Sequence, residues 1–376
     1  MAKVDRQAGR PRSRSKQRVE WADTAKGLSI IGVCIMHVVT GTPGGTDTAL
    51  GHFSGFLDPL RMPLFFLVSG LFSHRILERS FTDLWYRRLW FLLVPYLVYN
   101  PFHALTRMRI DNNFSMLNLA KAMVLGNVGL WFLYALVLYN IFAWTLRKQP
   151  PWLAIMVSCI PLIVGAFLGA GQEIFFRHVL TFAPMFFIGL HCRDLFFRLA
   201  RNAFRPWLVV GSAALFFGSE YLMRTLSTTL FSDWTPTVAA LTLGTDLLRS
   251  LAALPFAIVV SVWICAIPYV RRLFLFVGRN TLQVYVFHPL GLFLLGGLAG
   301  SLAEAHPESL AFLGTLAGQL WWGIGACVVA SAVGYVIGKT PYLGWTLFPP
   351  ALRRPQEKQQ QPGTSARRSG EPAPSA

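Results

Sequence analysis

Charged residues are scarce in this chain. They make up 14% of its 376 residues, whereas a soluble protein usually carries about a quarter. Acidic residues are the rarest, with 17 Asp and Glu against 34 Lys and Arg, and 54% of all residues are hydrophobic. The apolar residues stand in blocks of roughly 15 to 25, close to the length that one helix needs to cross a hydrocarbon core about 30 Å thick. The composition therefore excludes an ordinary soluble protein and indicates a polytopic membrane protein.

Hallmarks of several other protein classes are also missing. The chain contains no GxSxG nucleophile motif, no typical catalytic cysteine–histidine arrangement and no internal repeat of fixed period. The basic N-terminal tail lacks a clean cleavage site, so we interpret the apolar run after it as a retained first helix. The cysteines do not stand at the spacing of metal ligands, and we expect them to be reduced thiols. They are Cys34, Cys159, Cys192, Cys265 and Cys327.

The apolar blocks predict an all-α integral membrane protein built as a bundle of about ten transmembrane helices. They form one transmembrane domain at 21–340, between a basic disordered cytosolic tail at 1–20 and a disordered cytosolic tail at 351–376. No loop is long enough to fold as a separate domain. The predicted spans are 24–41, 53–73, 86–105, 128–146, 152–170, 178–192, 206–222, 247–268, 280–300 and 311–337.

The net charge of +17 is explained by membrane topology. With the N-terminus in the cytosol, Lys and Arg are concentrated in the segments on the cytosolic side and sparse in the outer loops, which is the positive-inside pattern. Both termini are therefore predicted to be cytosolic. The same distribution argues against a nucleic acid as partner, and the partner that the composition does indicate is the lipid bilayer.

Two ionisable residues bracket the first apolar segment, "KGLSIIGVCIMH". Lys26 and His37 are eleven residues apart, close to three full turns, so they lie on one helix face about 16 Å apart along the axis. Ionisable residues inside a membrane usually mark a functional site. The structural alternatives are a lysine that snorkels at the helix end and a histidine that hydrogen-bonds to a neighbouring helix.

Four further residues extend this pattern. Arg61 in the second span is predicted to lie at a depth similar to that of the first-span histidine, and a structural pair with Asp58 is the alternative. His288 in the ninth span is predicted to lie near the midplane. Arg87 and Arg88 begin the third span at the cytosolic edge, where the alternative is again positive-inside charge.

These residues form two tiers that would suit a long ligand with a phosphate-bearing head. The cytosolic tier would hold phosphates through charge-assisted hydrogen bonds, and its members are Lys26, Arg87 and Arg88. The inner tier would supply a general base, and its members are His37, Arg61 and His288. The extended pantetheine arm of coenzyme A has roughly the reach of about 16 Å that separates Lys26 from His37.

Six motifs occur in a fixed order over about residues 18–340, namely "VEWADTAKGLSIIGVCIMHVV", "RMPLFFLVSGLF", "WYRRLWFLLVPY", "LWFLYAL", "FFIGLHCRD" and "GRNTLQVYVFHPL". Together they resemble the acyltransferase-3 family of bacterial membrane proteins, and most closely its fucose 4-O-acetylase-like branch. His37 matches the essential histidine of the family's first helix. Lys26 matches its basic partner, which is an arginine in many members. Arg87 and Arg88 match the arginine motif that begins the third helix.

The resemblance implies a function as well as a fold. It implies about ten helices in the bacterial inner (plasma) membrane and an acyl-CoA donor, by default acetyl-CoA, on the cytosolic side. It implies an acyltransferase for groups other than aminoacyl groups, with no bound cofactor and a carbohydrate or glycolipid hydroxyl as acceptor. The choice between acetyl and succinyl, the acceptor and the oligomeric state stay open at this point.

The mechanism that we predict is direct transfer, in which His37 takes the proton of the acceptor hydroxyl and that hydroxyl attacks the thioester. Arg61 or His288 would polarise the thioester carbonyl or orient His37. An acyl-enzyme intermediate is the less favoured route. A transporter or flippase for a glycan or polar lipid is the competing function, because such proteins also carry polar residues at the midplane. A structural or regulatory membrane subunit fits the two tiers poorly.

Overall fold

The computed structural model describes residues 19–110, 112–125, 129–167, 179–229, 236–306, 308 and 310–352. Within these ranges the chain forms helices joined by turns and no strand, which confirms the all-α prediction. The two predicted terminal tails lie almost wholly outside the described residues.

The helices differ widely in length. The first half of the chain contains α1 (Glu20–Thr40), α2 (Ala49–Phe56), α3 (Asp58–Leu71), α4 (Phe81–Leu84), α5 (Trp90–Ile110), α6 (Met116–Leu125), α7 (Trp131–Thr145), α8 (Pro151–Ser158) and α9 (Ile160–Phe167). The second half contains α10 (Ala183–His191), α11 (Arg193–Arg201), α12 (Pro206–Thr229), α13 (Pro236–Ala266), α14 (Pro268–Arg279), α15 (Thr281–Ala305) and α16 (Leu316–Lys339). Shorter turns of other helical types are Gly45–Asp47, His74–Glu78, Trp85–Leu89, Ala311–Gly314 and Leu343–Thr346.

Four of the described helices are long and apolar enough to cross a membrane: α1, α13, α15 and α16. α10 and α11 would add a fifth span if they are counted together, although they meet at a bend of 74°. Shorter apolar helices, namely α7 and the stretch formed by α8 and α9, follow α1 and precede α13 in the sequence. The count of about ten spans therefore stays a prediction.

Several segments that were predicted as single spans are interrupted, and two of them have the same cause. The segment 53–73 is interrupted at Leu57, between α2 and α3, and the segment 152–170 is interrupted at Cys159, between α8 and α9. In each case a proline follows two residues later, Pro59 and Pro161. Proline has no N–H to donate to the carbonyl four residues earlier, so the helix is interrupted at that turn.

Glycines bring two pairs of helices into backbone contact. Between α3 and α10, a Cβ atom at Gly70 would lie 2.0 Å from the carbonyl oxygen of Phe186, and one at Gly189 would lie 2.2 Å from that of Leu67. The "VSG" stretch of the second predicted span therefore packs directly against the "FFIGL" motif. Small residues allow this approach between helices.

The same arrangement joins α1 to α14. A Cβ atom at Gly27 would lie 2.4 Å from the carbonyl oxygen of Phe274, and one at Gly278 would lie 1.8 Å from that of Asp23. α14 leads directly into α15, so this contact fixes the helix that carries His37 against the segment that precedes His288.

Candidate active site

His37 and His288 face each other across the contact between α1 and α15. Their ring centroids are 5.3 Å apart, with an angle of 46° between the rings. His288 is fully buried, and its Nδ1 donates to the carbonyl oxygen of Val284 over 2.8 Å. Because a carbonyl can only accept, Nδ1 carries the ring proton and Nε2 carries the lone pair in the neutral ring. That Nε2 is buried without a hydrogen-bond partner among the described residues.

His37 lines a cavity of about 720 Å³ at the end of the bundle where α1 finishes. Part of the lining is apolar or aromatic and comes from Trp131, Leu292, Phe293 and Trp322. Another part is polar or charged and comes from Thr40, Thr42, Arg107, Glu304 and Gln319. An apolar pocket with a few polar groups is the usual form of a small-ligand site. In this cavity the imidazole of His37 forms part of the wall.

A third histidine, His103 of α5, lines the same cavity and was not among the predicted site residues. It is 1% exposed, and its Nε2 donates to the carbonyl oxygen of Val286 over 3.0 Å. Its Nδ1 has no hydrogen-bond partner among the described residues. The sequence could have indicated it, because this histidine is an ionisable residue inside the third predicted span, in "YNPFHAL". It lies outside the six motifs that resemble the family.

Arg61 lies in a second cavity, of about 600 Å³, rather than in the cavity that His37 lines. Its guanidinium donates to Ser54 Oγ over 3.0 Å and to the carboxylate of Asp58. The structural alternative for this arginine, an Arg61–Asp58 pair, is therefore present. Arg249 extends the network, with Nη1 3.6 Å from Asp58 Oδ2 and two hydrogen bonds to Glu220.

The cytosolic tier lies at the opposite end of α1 from this cavity. Lys26 Nζ is 2.7 Å from Asp23 Oδ1, and Arg279 Nε is 3.6 Å from the other oxygen of the same carboxylate. Lys26 and Asp23 therefore form an ion pair one turn apart on α1. Neither of the two cavities is lined by Lys26.

Arg87 and Arg88 lie on the helical turn before α5. Arg88 Nη2 donates to Ser73 Oγ over 3.0 Å, and its Nε is buried without a partner among the described residues. The side chain of Arg87 is 61% exposed, with Nε 3.6 Å from Asp83 Oδ1. Neither arginine lines the two cavities.

The position of Ser73 gives the level of Arg88. α3 returns through the bundle beside α1, and Arg61 packs against Gly32, where a Cβ atom would lie 2.9 Å from the arginine Cγ. Ser73 follows Arg61 by about a dozen residues, and the start of α1 precedes Gly32 by about a dozen residues. Each of these stretches covers about 18 Å along the helix direction. Ser73 is thus level with the first turn of α1, so Arg88 and Lys26 lie at one end of the bundle and His37 lies towards the other.

Two further predictions concern cysteine and metals. All five cysteines are free thiols, and Cys265 Sγ is 3.1 Å from Thr24 Oγ1 of α1. In the part of the chain that the structure describes, no three His, Cys, Asp or Glu side chains are grouped so that they could hold a metal ion.

The match to a known family covers most of the chain. The family model for the acyltransferase domain of the acyltransferase-3 type matches residues 19–339, which includes both histidines and all three members of the cytosolic tier. Searches among curated proteins and among solved structures give no significant match. The fold and the match agree on a helical membrane protein, and the chain therefore belongs to the acyltransferase-3 family of membrane acyltransferases.

Proposed function

We propose that this protein is an O-acyltransferase of the bacterial inner membrane that moves an acetyl group from cytosolic acetyl-CoA to a hydroxyl of a cell-surface or exported carbohydrate. The observation that carries the proposal is the His37–His288 contact, with ring centroids 5.3 Å apart, at the wall of the cavity. The family match supports acyl transfer. The acyl-CoA donor and the acetyl group follow from the resemblance to the family, and the residues at the two ends of α1 support a phosphate-bearing donor and a carbohydrate acceptor.

His37 is the general base in this proposal. It takes the proton of the acceptor hydroxyl, whose oxygen forms a bond to the thioester carbon. The carbon–sulfur bond then breaks, and the thiolate of coenzyme A takes up the proton that His37 held. His288 supports this cycle because its Nε2 lone pair is free to accept a hydrogen bond from His37, while its Nδ1–H is already bound to Val284.

The donor would bind from the end of the bundle at which α1 begins. Lys26, Arg87 and Arg88 are cations at that end, and the buried Nε of Arg88 has an unused N–H among the described residues. Phosphate oxygens are the acceptors that such donors prefer. The distance of about 16 Å between Lys26 and His37 suits the pantetheine arm.

The acceptor would bind in the cavity that His37 lines. Its lining places hydroxyl, amide, carboxylate and guanidinium groups beside aromatic rings. This mixture suits a carbohydrate, whose hydroxyls both donate and accept hydrogen bonds and whose ring faces are apolar. Arg61 lies next to this region and would act on it through the charge network around Asp58.

The test is an assay of purified protein in lipid nanodiscs with radiolabelled acetyl-CoA. We expect release of coenzyme A and transfer of label to a carbohydrate acceptor. The His37→Ala variant should lose about a hundredfold or more of this activity, because the general base is removed. His306→Ala is the matched control, since His306 is exposed and does not line the cavity, and it should keep the wild-type rate.

Mass spectrometry of cell-surface glycans from wild-type and deletion strains would identify the transferred group from the mass added per site. Succinyl in place of acetyl would correct the donor and leave the reaction class intact. Wild-type activity in a folded His37→Ala protein would contradict the mechanism. Movement of a glycan across the bilayer without consumption of acyl-CoA would establish the transporter instead.

A further inference from the structure

α14 lies across the end of the bundle instead of crossing the membrane. The residues just before it and at its end contact α1 at one level: Cys265 Sγ is 3.1 Å from Thr24 Oγ1, and Arg279 Nε is 3.6 Å from Asp23 Oδ2. A helix of this length extends about 18 Å, so it can begin and end at one height only if it runs roughly in the plane of the membrane. The sequence had predicted a basic loop here.

The two sides of α14 differ in their contacts. One side is fixed to α1 by Gly278 and by the hydrogen bonds that Arg271 donates to Glu20. The other side exposes large apolar residues, with Tyr269 82%, Leu273 56% and Phe276 52% exposed. Arg272 is exposed on the same side, and α14 contains no acidic residue.

α11 also lies at this end of the bundle and contacts the first turn of α1, and it carries one exposed acidic residue, Asp194, beside its arginines. It meets α10 at 74°, so it also runs across the direction of the spans. Phe197 of α11 packs edge-on against Trp21, with ring centroids 5.7 Å apart. Leu195 is 53% exposed, and Arg198 and Arg201 are exposed as well.

We propose that α11 and α14 form a docking surface for anionic phospholipids. An in-plane helix with an apolar side and arginines at its border lies in the headgroup region, with its apolar side chains among the acyl chains. Arginines there attract anionic headgroups electrostatically. The occupant is a lipid and not a soluble phosphate compound, because the exposed Tyr, Leu and Phe side chains require an apolar phase beside the arginines.

The experiment compares the full-length protein in nanodiscs of phosphatidylcholine alone and in nanodiscs that also contain phosphatidylglycerol. The wild type should melt at a higher temperature with phosphatidylglycerol, and rising KCl should reduce this shift because salt screens exposed charges. In the Arg201→Gln/Arg272→Gln variant the shift should largely disappear. Retention of phosphatidylglycerol after transfer to neutral detergent, counted by native mass spectrometry, should fall roughly tenfold.

Arg109→Gln is the matched control, because Arg109 is exposed near the far end of α5. It should keep both the shift and the retained lipid. Melting in phosphatidylcholine alone shows that each variant is folded, so the measurement does not depend on catalysis. An unchanged shift in the double variant, an equal loss in Arg109→Gln, or the same shift produced by inorganic phosphate without phosphatidylglycerol would each overturn the proposal.

Discussion

The two facing histidines differ in burial and in the hydrogen bonds that their ring nitrogens form. His288 is buried and its Nδ1–H is bound to a backbone carbonyl, so its tautomer is fixed. His37 is partly open to the cavity and can reach a substrate. Under the proposed mechanism, this difference favours His37 for the proton transfer and His288 for the supporting hydrogen bond.

The role of His288 can be tested with asparagine. In His288→Asn the side-chain N–H can still reach the Val284 carbonyl, but no acceptor remains at the position of Nε2. We expect kcat to fall about tenfold to a hundredfold while the KM for acetyl-CoA stays unchanged, because a hydrogen bond from His37 to His288 strengthens when His37 takes up the proton. Steady-state kinetics with varied acetyl-CoA would measure both values. A loss seen in KM alone would contradict the assignment.

Arg88 should behave in the opposite way. If it holds a donor phosphate, Arg88→Gln should raise the KM for acetyl-CoA about tenfold to a hundredfold, since a charge-assisted hydrogen bond contributes about 1.5–3 kcal/mol. Maximal rate should change less, because phosphate contacts are similar in the ground and transition states. Arg75→Gln, an exposed arginine at the same end, controls for the loss of one charge. An unchanged KM in Arg88→Gln, Arg87→Gln and Lys26→Gln would leave these residues as topology signals.

At the scale of single residues, the sequence predicted the contact partners unevenly. His37 and His288 stood in recognisable motifs, and Asp58 was correctly considered as the partner of Arg61. His103 was missed because its relation to the other two histidines depends on how α5 packs against α15. The partner of Arg249 was missed for the same reason, since Glu220 lies 29 positions away on another helix.

At the scale of helices, local chemistry predicted some features and hid others. The prolines at 59 and 161 explain the breaks in two predicted spans. The breaks were not predicted because each apolar block has the length of one continuous transmembrane helix. α14 was predicted as a loop because it falls between two predicted spans and carries three arginines among its twelve residues. The sequence alone does not show that this segment packs against α1, because that contact depends on Gly27 and Gly278 meeting across two helices.

The α3–α10 contact gives a prediction at this scale. Gly70→Ala should lower stability by about 1–3 kcal/mol or more, because its Cβ atom would meet the Phe186 carbonyl at 2.0 Å and the helices must separate. Gly55→Ala is the matched control, since no atom lies within 4 Å of its added Cβ. Thermal melting followed by size-exclusion chromatography would compare them. Equal melting of the two variants would show that α3 and α10 do not depend on this contact.

For the whole molecule, the distribution of basic residues predicts cytosolic N- and C-termini. Reporter fusions in the predicted loops 41–52 and 300–310 should therefore report the outer side, and fusions at either terminus should report the cytosol. A cytosolic signal from the two loops would reverse the orientation. The cavity that His37 lines would then face the cytosol, and the proposed entry of the donor would fail.

The cations lie at one end of α1 and the cavity lies at the other end. The proposed reaction should therefore depend on the membrane potential. In the proposed mechanism and the predicted orientation, the acceptor would lose its proton on the outer side and coenzyme A would leave protonated on the inner side, so each turnover would carry positive charge inward. A full elementary charge moved through about 100 mV is worth about 2.3 kcal/mol. We expect an inside-negative potassium diffusion potential to accelerate acetyl transfer several-fold in oriented proteoliposomes and an inside-positive one to slow it, whereas equal rates would mean that the proton returns to the side it came from. A membrane at rest would in this way drive the reaction towards export of the acetyl group.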